Sequence, residues 1–283
     1  MFGLLTILAY LAAAGFLAAG IGTNRKRLNL LGAICAWLAV IAHGAWLAAV
    51  MPVSGGFDFN FFNSLSLVSW LAVIFLLLAA MRWELLEVGI IAFPGSALWV
   101  SLQLAFEPAP VVLSHAPPLS EAHIVSSLLA YAILSIAALT AVAVAAQDYI
   151  LRHPRAGRLL ALLPPLTTME HVLFQLILAG WVVLTLSLAT GMMFVDENLF
   201  ARHLAHKTIL TIASWIIFGL LLLGRWRFGW RGRTAVTMTL SGMAILLLGY
   251  FGAKLVLELI LDRTWLQSAG IGLSSIPVIH HAR

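Results

Sequence analysis

A chain of 283 residues that is 62% hydrophobic and only 10% charged, with a mean hydropathy of +1.03, cannot fold as an ordinary water-soluble domain, where charged residues make up about a quarter. The formal net charge of +5 does not signal a nucleic-acid partner, because the basic residues fall in short stretches between apolar runs; the expected partner is the lipid bilayer. The single cysteine, Cys35, lies inside an apolar run, so it forms no intrachain disulfide and does not report the redox compartment.

In chain order there are eight apolar segments, at roughly 2–21, 30–50, 62–82, 84–106, 122–151, 170–195, 205–224 and 235–261, followed by a tail over 262–283. Each is long enough to cross a bilayer as a helix. The first has no basic residues ahead of it, and Arg25, Lys26 and Arg27 follow it, so it reads as an uncleaved anchor rather than a signal peptide. The third and fourth are parted only by Arg82-Trp83-Glu84. At about 1.5 Å per residue, one helix over both would far exceed a hydrocarbon core of about 30 Å, so a tight helical hairpin is predicted. The stretch 152–168 with Pro164-Pro165 reads as a linker, and the whole of 1–283 as a single transmembrane domain. The predicted fold is all-α: a polytopic bundle of eight transmembrane helices.

Loop charges set an orientation. The loops after segments one, three, five and seven carry Arg25, Lys26, Arg27, Arg82, Arg152, Arg155, Arg158, Arg225, Arg227, Arg231 and Arg233. The loops after segments two, four and six, with the tail, hold only Arg202, Arg263 and Arg283. Eleven against three, alternating without exception, places the first set in the cytoplasm and both termini in the periplasm.

That orientation sorts the histidines. His153 and His171 fall on the cytoplasmic side; His115, His123, His203, His206, His280 and His281 fall outside. Of the outer group, His115, His203, His280 and His281 read as solvated surface residues. His123 and His206 differ, because each opens a predicted helix at the same face. His43 differs because it lies within the second segment, where an ionisable group needs a partner. His123, Ser127, Tyr131 and Ser135 recur every four residues and form a polar stripe that should turn toward the bundle; the serines and Tyr131 read first as helix–helix contacts. Lys254 and Glu258, four apart in the last segment, make a paired acid and base within the membrane. His203 and His206 in HLAH are spaced for two ligands on one face, but no carboxylates accompany them at metal-binding spacing. No phosphate loop, zinc-spaced cysteines or nucleophile elbow is present, and no turnover is expected.

Three runs carry a resemblance: HIVSSLLAYAILSIAALTAVAVAAQDYILR (123–152), PPLTTMEHVLFQLILAGWVVLTLSLATGMMF (164–194) and HKTILTIASWIIFGLLLLGRWRFGWRGRTAV (206–236). With LTLSLATG, HKT followed by SW, and GWRGR ahead of a helix containing YFGAK, they are similar to the cytochrome c assembly protein superfamily. Within it, the likeness is to the YpjD-type inner-membrane branch. It covers roughly the last two thirds of the chain. The resemblance implies a multi-pass protein of the bacterial inner membrane that handles haem at the outer face, with His123 matching the family's external haem ligand. His206 matches by position, where the family's outer loop ends. That loop here, FVDENLFARHLAHKT, contains no tryptophan, whereas haem-delivery members carry a tryptophan-rich WD segment. His43 resembles a second-segment histidine of the YpjD-type branch.

The resulting expectation is a haem-binding protein, the haem being of b type. His123 and His206 would be its axial ligands, Lys254 a propionate partner, and His43 an alternative ligand deeper in the bundle. Other membrane proteins of cytochrome c maturation or haem biosynthesis are the expected protein partners. Two other readings stay open. One is a membrane regulator or partner protein of haem biosynthesis; the other is a small-solute transporter with His43 and Lys254 along its pathway and no haem.

Overall fold

A computed structural model describes residues 1–23, 26–83, 85–106, 110–113, 118–152, 165–193 and 202–252, the side chains of 21–23, 113 and 202–206 excepted. The helices are α1 (Phe2–Thr23), α2 (Lys26–Val50), α3 (Phe61–Ala80), α4 (Gly89–Ala105), α5 (Pro118–Leu151), α6 (Leu166–Met192), α7 (Arg202–Phe228) and α8 (Arg233–Leu247). A 3-10 turn (Leu86–Val88) leads into α4, and a π turn (Leu248–Gly252) continues α8. Among the described residues, eight helical spans are long and apolar enough to cross a membrane. The chain is a polytopic helical membrane protein.

The distribution of side chains fits a lipid surround. On α1 the outward residues are Leu4, Leu5, Leu8 and Leu11, while Tyr10, Ala13 and Leu17 are buried. Large aliphatics outside and small or polar residues inside are what membrane helices need. Water gives no hydrophobic drive between helices there, and close backbone approach supplies the packing energy instead.

The helix that joins the halves of the bundle is α5, which packs on α3, α6 and α8. Its middle, Ala130–Leu134, is buried on every side. The alanines let neighbours approach, and Leu134 in turn fills the space above Gly180 of α6, where a Cβ would lie 2.6 Å from its Cδ2. In the first half, α1 packs against α2 and α4, and α3 against α4 and α2. The SW pair noted in the sequence ties α7 to both neighbours. The Ser214 hydroxyl donates to the Gly242 carbonyl of α8 at 2.8 Å, and the Trp215 ring stacks on Trp181 of α6 at 5.3 Å.

Some helix ends differ from the sequence reading, for local reasons. α5 starts at Pro118, because proline is well suited to a first helical turn that has no N–H partner to lose. His123 therefore sits in the second turn rather than at the opening. Likewise α7 starts at Arg202, which puts His206 in its second turn. The last segment is regular only to Leu247, then widens into the π turn, and residues 253–261 lie outside the described residues.

A small antiparallel sheet, not expected from the hydrophobic pattern, lies at the end of the bundle where α2 and α4 finish. Its strands are β1 (Pro52–Val53), β2 (Gly56–Asp58) and β3 (Val112–Leu113), in the order β1-β2-β3, with Phe57 opposite both Pro52 and Leu113. Its anchor is Asp58, buried at the start of α3. The carboxylate accepts from the Asn60 N–H (3.0 Å) and side-chain amide (2.8 Å), from the Asn63 amide (3.1 Å) and from the Val111 N–H (2.8 Å). Asn60 caps α3 by accepting the Asn63 N–H at 2.9 Å. Gln103 of α4 extends the network, donating to Asn63 at 2.7 Å and accepting from the Trp46 indole of α2 at 3.0 Å. One carboxylate thus fixes two loops and the ends of three helices.

Candidate functional site

His123 lies at the same end of the bundle as the sheet. α5 has 34 residues, about 50 Å at about 1.5 Å per residue, so its ends project past a hydrocarbon core of about 30 Å. The half-buried His123 ring lies against α6. Its Nδ1 is 2.8 Å from the Ser187 carbonyl oxygen. A carbonyl only accepts, so Nδ1 carries the proton and, in the neutral ring, Nε2 holds the lone pair. Among the described residues, Nε2 has no hydrogen-bond partner. Gly191, one turn beyond Ser187, leaves room for the ring: a Cβ there would lie 2.9 Å from Cε1 and 3.0 Å from Nδ1. This is how proteins hold a metal-ligating imidazole, with one nitrogen tethered to a carbonyl and the other presented. Neither Ser187 nor Gly191 was singled out in the sequence, because a backbone acceptor and an absent Cβ leave no pattern there. The run LTLSLATG was the one signal, and it contains both residues.

Below His123 the polar stripe divides its contacts. Ser127 and Ser187 hydroxyls meet at 2.7 Å between α5 and α6, and Ser135 turns back to the Tyr131 carbonyl. The Tyr131 hydroxyl crosses to the Leu246 carbonyl of α8 at 2.8 Å, just before the π turn. That turn brings Tyr250 and Phe251 against Tyr131, with ring centroids 5.8 and 5.7 Å away. Lys207 of α7 places its ammonium 5.9 Å from the Tyr250 ring centre. The start of α7, with His206, therefore lies at the same end as His123. The His206 side chain itself falls outside the described residues, as do Lys254, Glu258, His115, His203, His280 and His281. Among the described residues no three His, Cys, Asp or Glu side chains converge as a metal cluster.

His43 is fully buried between α1, α2 and α3. Its Nδ1 is 3.2 Å from the Tyr10 hydroxyl and its Nε2 is 2.9 Å from the Ser66 hydroxyl. The partner that an ionisable group in an apolar helix requires is thus two hydroxyls from separate helices. Both nitrogens are occupied, so ligation by His43 requires giving up one bond, whereas His123 keeps a nitrogen in reserve.

Eight helices long and apolar enough to cross a membrane define a polytopic helical membrane protein. The chain belongs to the cytochrome c assembly protein family, whose model matches residues 27–261. It is 33% identical over 267 residues to the inner membrane protein YpjD of Escherichia coli strain K12, covering 92% of this chain and 99% of that protein. It is also 38% identical over 157 residues to an uncharacterized 28.8 kDa protein in the nifR3-like 5' region of Azospirillum brasilense, covering 54% of this chain and 58% of that protein. No solved structure matches the chain.

Proposed function

We propose that this protein binds and handles haem, as b-type haem, at the outer face of the bacterial inner membrane, and that it performs no turnover of its own. The observation that carries this reading is the His123 ring, its Nδ1 committed to the Ser187 carbonyl and its Nε2 available at a helix end. His206 would supply a second ligating nitrogen, from a helix whose neighbouring Lys207 reaches the aromatic group beneath His123. Lys254 would partner a propionate, and His43 would be the alternative ligand deeper in the bundle. A bound haem would supply a redox-active iron, and the residues of this chain would supply its ligating nitrogens and orientation, beside the aromatic group of Tyr131, Tyr250 and Phe251. Its protein partners are membrane proteins of cytochrome c maturation or haem biosynthesis. Family membership and the name of the Escherichia coli relative support the localisation.

Protein purified from membranes should show a Soret band, and a sharp α-band on reduction. If it has neither, and takes up no haem on titration, the reading fails. Orientation is tested separately. Single cysteines at Arg27, Arg155 and Arg231 should be shielded from an impermeant thiol reagent in intact cells, while cysteines at Ser114, Asn198 and Ser274 should react. Labelling at any of the first three would overturn the eight-helix topology, because moving one loop shifts the parity of the rest.

A further inference from the structure

The end of the bundle opposite His123 carries a built cationic surface that the haem reading does not use. α7 ends in a left-handed glycine cap: Gly229 at φ +67 lets its own N–H reach the Arg225 carbonyl (3.1 Å), and the Trp230 N–H reaches the Gly224 carbonyl (3.2 Å). Trp230 then lies flat over Gly224, where no side chain fits. Gly232, at φ +59, gives its N–H to the buried Glu170 carboxylate of α6 at 2.8 Å. Arg225 is held twice, its guanidinium 4.6 Å from the Phe174 ring centre and its Nη1 donating to the Trp230 carbonyl at 3.3 Å. The link between α7 and α8 is therefore rigid.

What it displays is specific. Arg227 and Arg231 are exposed and the Arg233 side chain is 81% exposed, beside Trp226 at 84% and Phe228 at 68%. Asp148 at the end of α5 pairs with Arg152 at 3.0 Å and lies 4.0 Å from Arg233. With Glu170 included, two carboxylates face five arginines here among the described residues. Bare indole and phenyl rings at the end of a membrane span sit at headgroup depth, and guanidinium forks match phosphate oxygens. Positive charge that only directs insertion needs no fixed geometry. These arginines stand on a capped, stacked and hydrogen-bonded turn.

We propose that the α7–α8 turn is a binding site for an anionic glycerophospholipid headgroup, with Arg231 and Arg233 holding the phosphate and Trp226 and Phe228 lying along the glycerol and upper acyl region. The site is independent of haem.

Full-length protein in detergent, offered equal amounts of phosphatidylglycerol and phosphatidylcholine, should retain phosphatidylglycerol preferentially by native mass spectrometry. The double variant R231Q/R233Q should lower that preference by roughly thirtyfold, since each surface arginine contributes about fivefold toward an anionic headgroup. R227Q should lower it less. K26Q/R27Q, which removes two exposed charges at the same end of the bundle, should leave it unchanged. An equal drop in R231Q/R233Q and K26Q/R27Q would mean that bulk charge alone attracts the lipid and would overturn the site. Undiminished preference in R231Q/R233Q and R227Q would overturn it too. All four arginine and lysine side chains in the two double variants are exposed, so the variants are expected to keep the wild-type unfolding midpoint.

Discussion

Replacing His123 with alanine is expected to remove the sharp reduced α-band and to lower haem retention through purification by at least about tenfold, with the helical bundle intact. The ring is half-buried and its removal opens space only between α5 and α6, so the fold loses one hydrogen bond of about 1 kcal/mol. The proposed haem iron, by contrast, would lose one of its two ligating nitrogens. His206→Ala should act on the same spectrum from the other side, the double variant should bind no haem, and added imidazole should restore either single variant. His115→Ala and His280→Ala should change nothing. Gly191→Ala separates this assignment from a merely structural one. The added methyl meets the ring at 2.9 Å from Cε1, tilting Nε2 while leaving the histidine present. Shifts in the support of a ligand typically cost about 10–100-fold in affinity. A His43→Ala variant that loses the spectrum, while His123→Ala and His206→Ala keep it, would move the site into the middle of the membrane.

The largest stability effect is expected at Asp58. Asp58→Ala strands the N–H groups of Asn60 and Val111 and the side-chain amide of Asn60, and leaves the Asn63 amide only the Asp58 backbone carbonyl, all within a buried network. An unsatisfied buried donor costs about 1–3 kcal/mol, and partial relaxation still leaves a loss of about 3 kcal/mol or more. The unfolding midpoint in detergent should fall accordingly, and protease should cut within 51–60 before any other segment, because the carboxylate is what fixes that loop to Val111. Asp58→Asn keeps one acceptor oxygen but turns an amide toward two donors, so it should fall between wild type and Asp58→Ala. A midpoint unchanged in Asp58→Ala would show that the sheet and Gln103 hold the loops without the carboxylate. Haem retention by the folded fraction should be little altered, which distinguishes this defect from that of His123→Ala.

Hydrophobic runs made the spans legible, because a bilayer demands about 20 apolar residues whatever their partners. Helix ends were less so: proline at Pro118 and the basic residues at Arg202 belong to helices whose first turns are polar, and apolar periodicity starts later than the backbone does. The sheet was invisible because two- and three-residue strands contain no alternation to detect. Of the site, His123 could be read from its type and place, and the stripe below it from its spacing. The rest was beyond reach for a common reason. Ser187 acts through its carbonyl, which every residue has, and Tyr10 and Ser66 reach His43 from 33 and 23 residues away. Neither kind of partner has a sequence period.

The connections at the two ends of the bundle are unequal, and this bears on how the chain enters the membrane. Residues 24–25, 81–88 and 229–232 are brief links that close α1–α2, α3–α4 and α7–α8 into pairs. The segments 51–60, 106–117 and 194–201 join one pair to the next, and they contain Asp58, Glu107, Asp196 and Glu197 but no lysine or arginine. In the proposed orientation these acidic segments are translocated along with the two termini, and each travels as the open mouth of a hairpin whose basic tip stays behind. Biogenesis can then proceed two helices at a time, and the faces that meet within a pair, such as α1 on α2, are in contact before the next pair is synthesised.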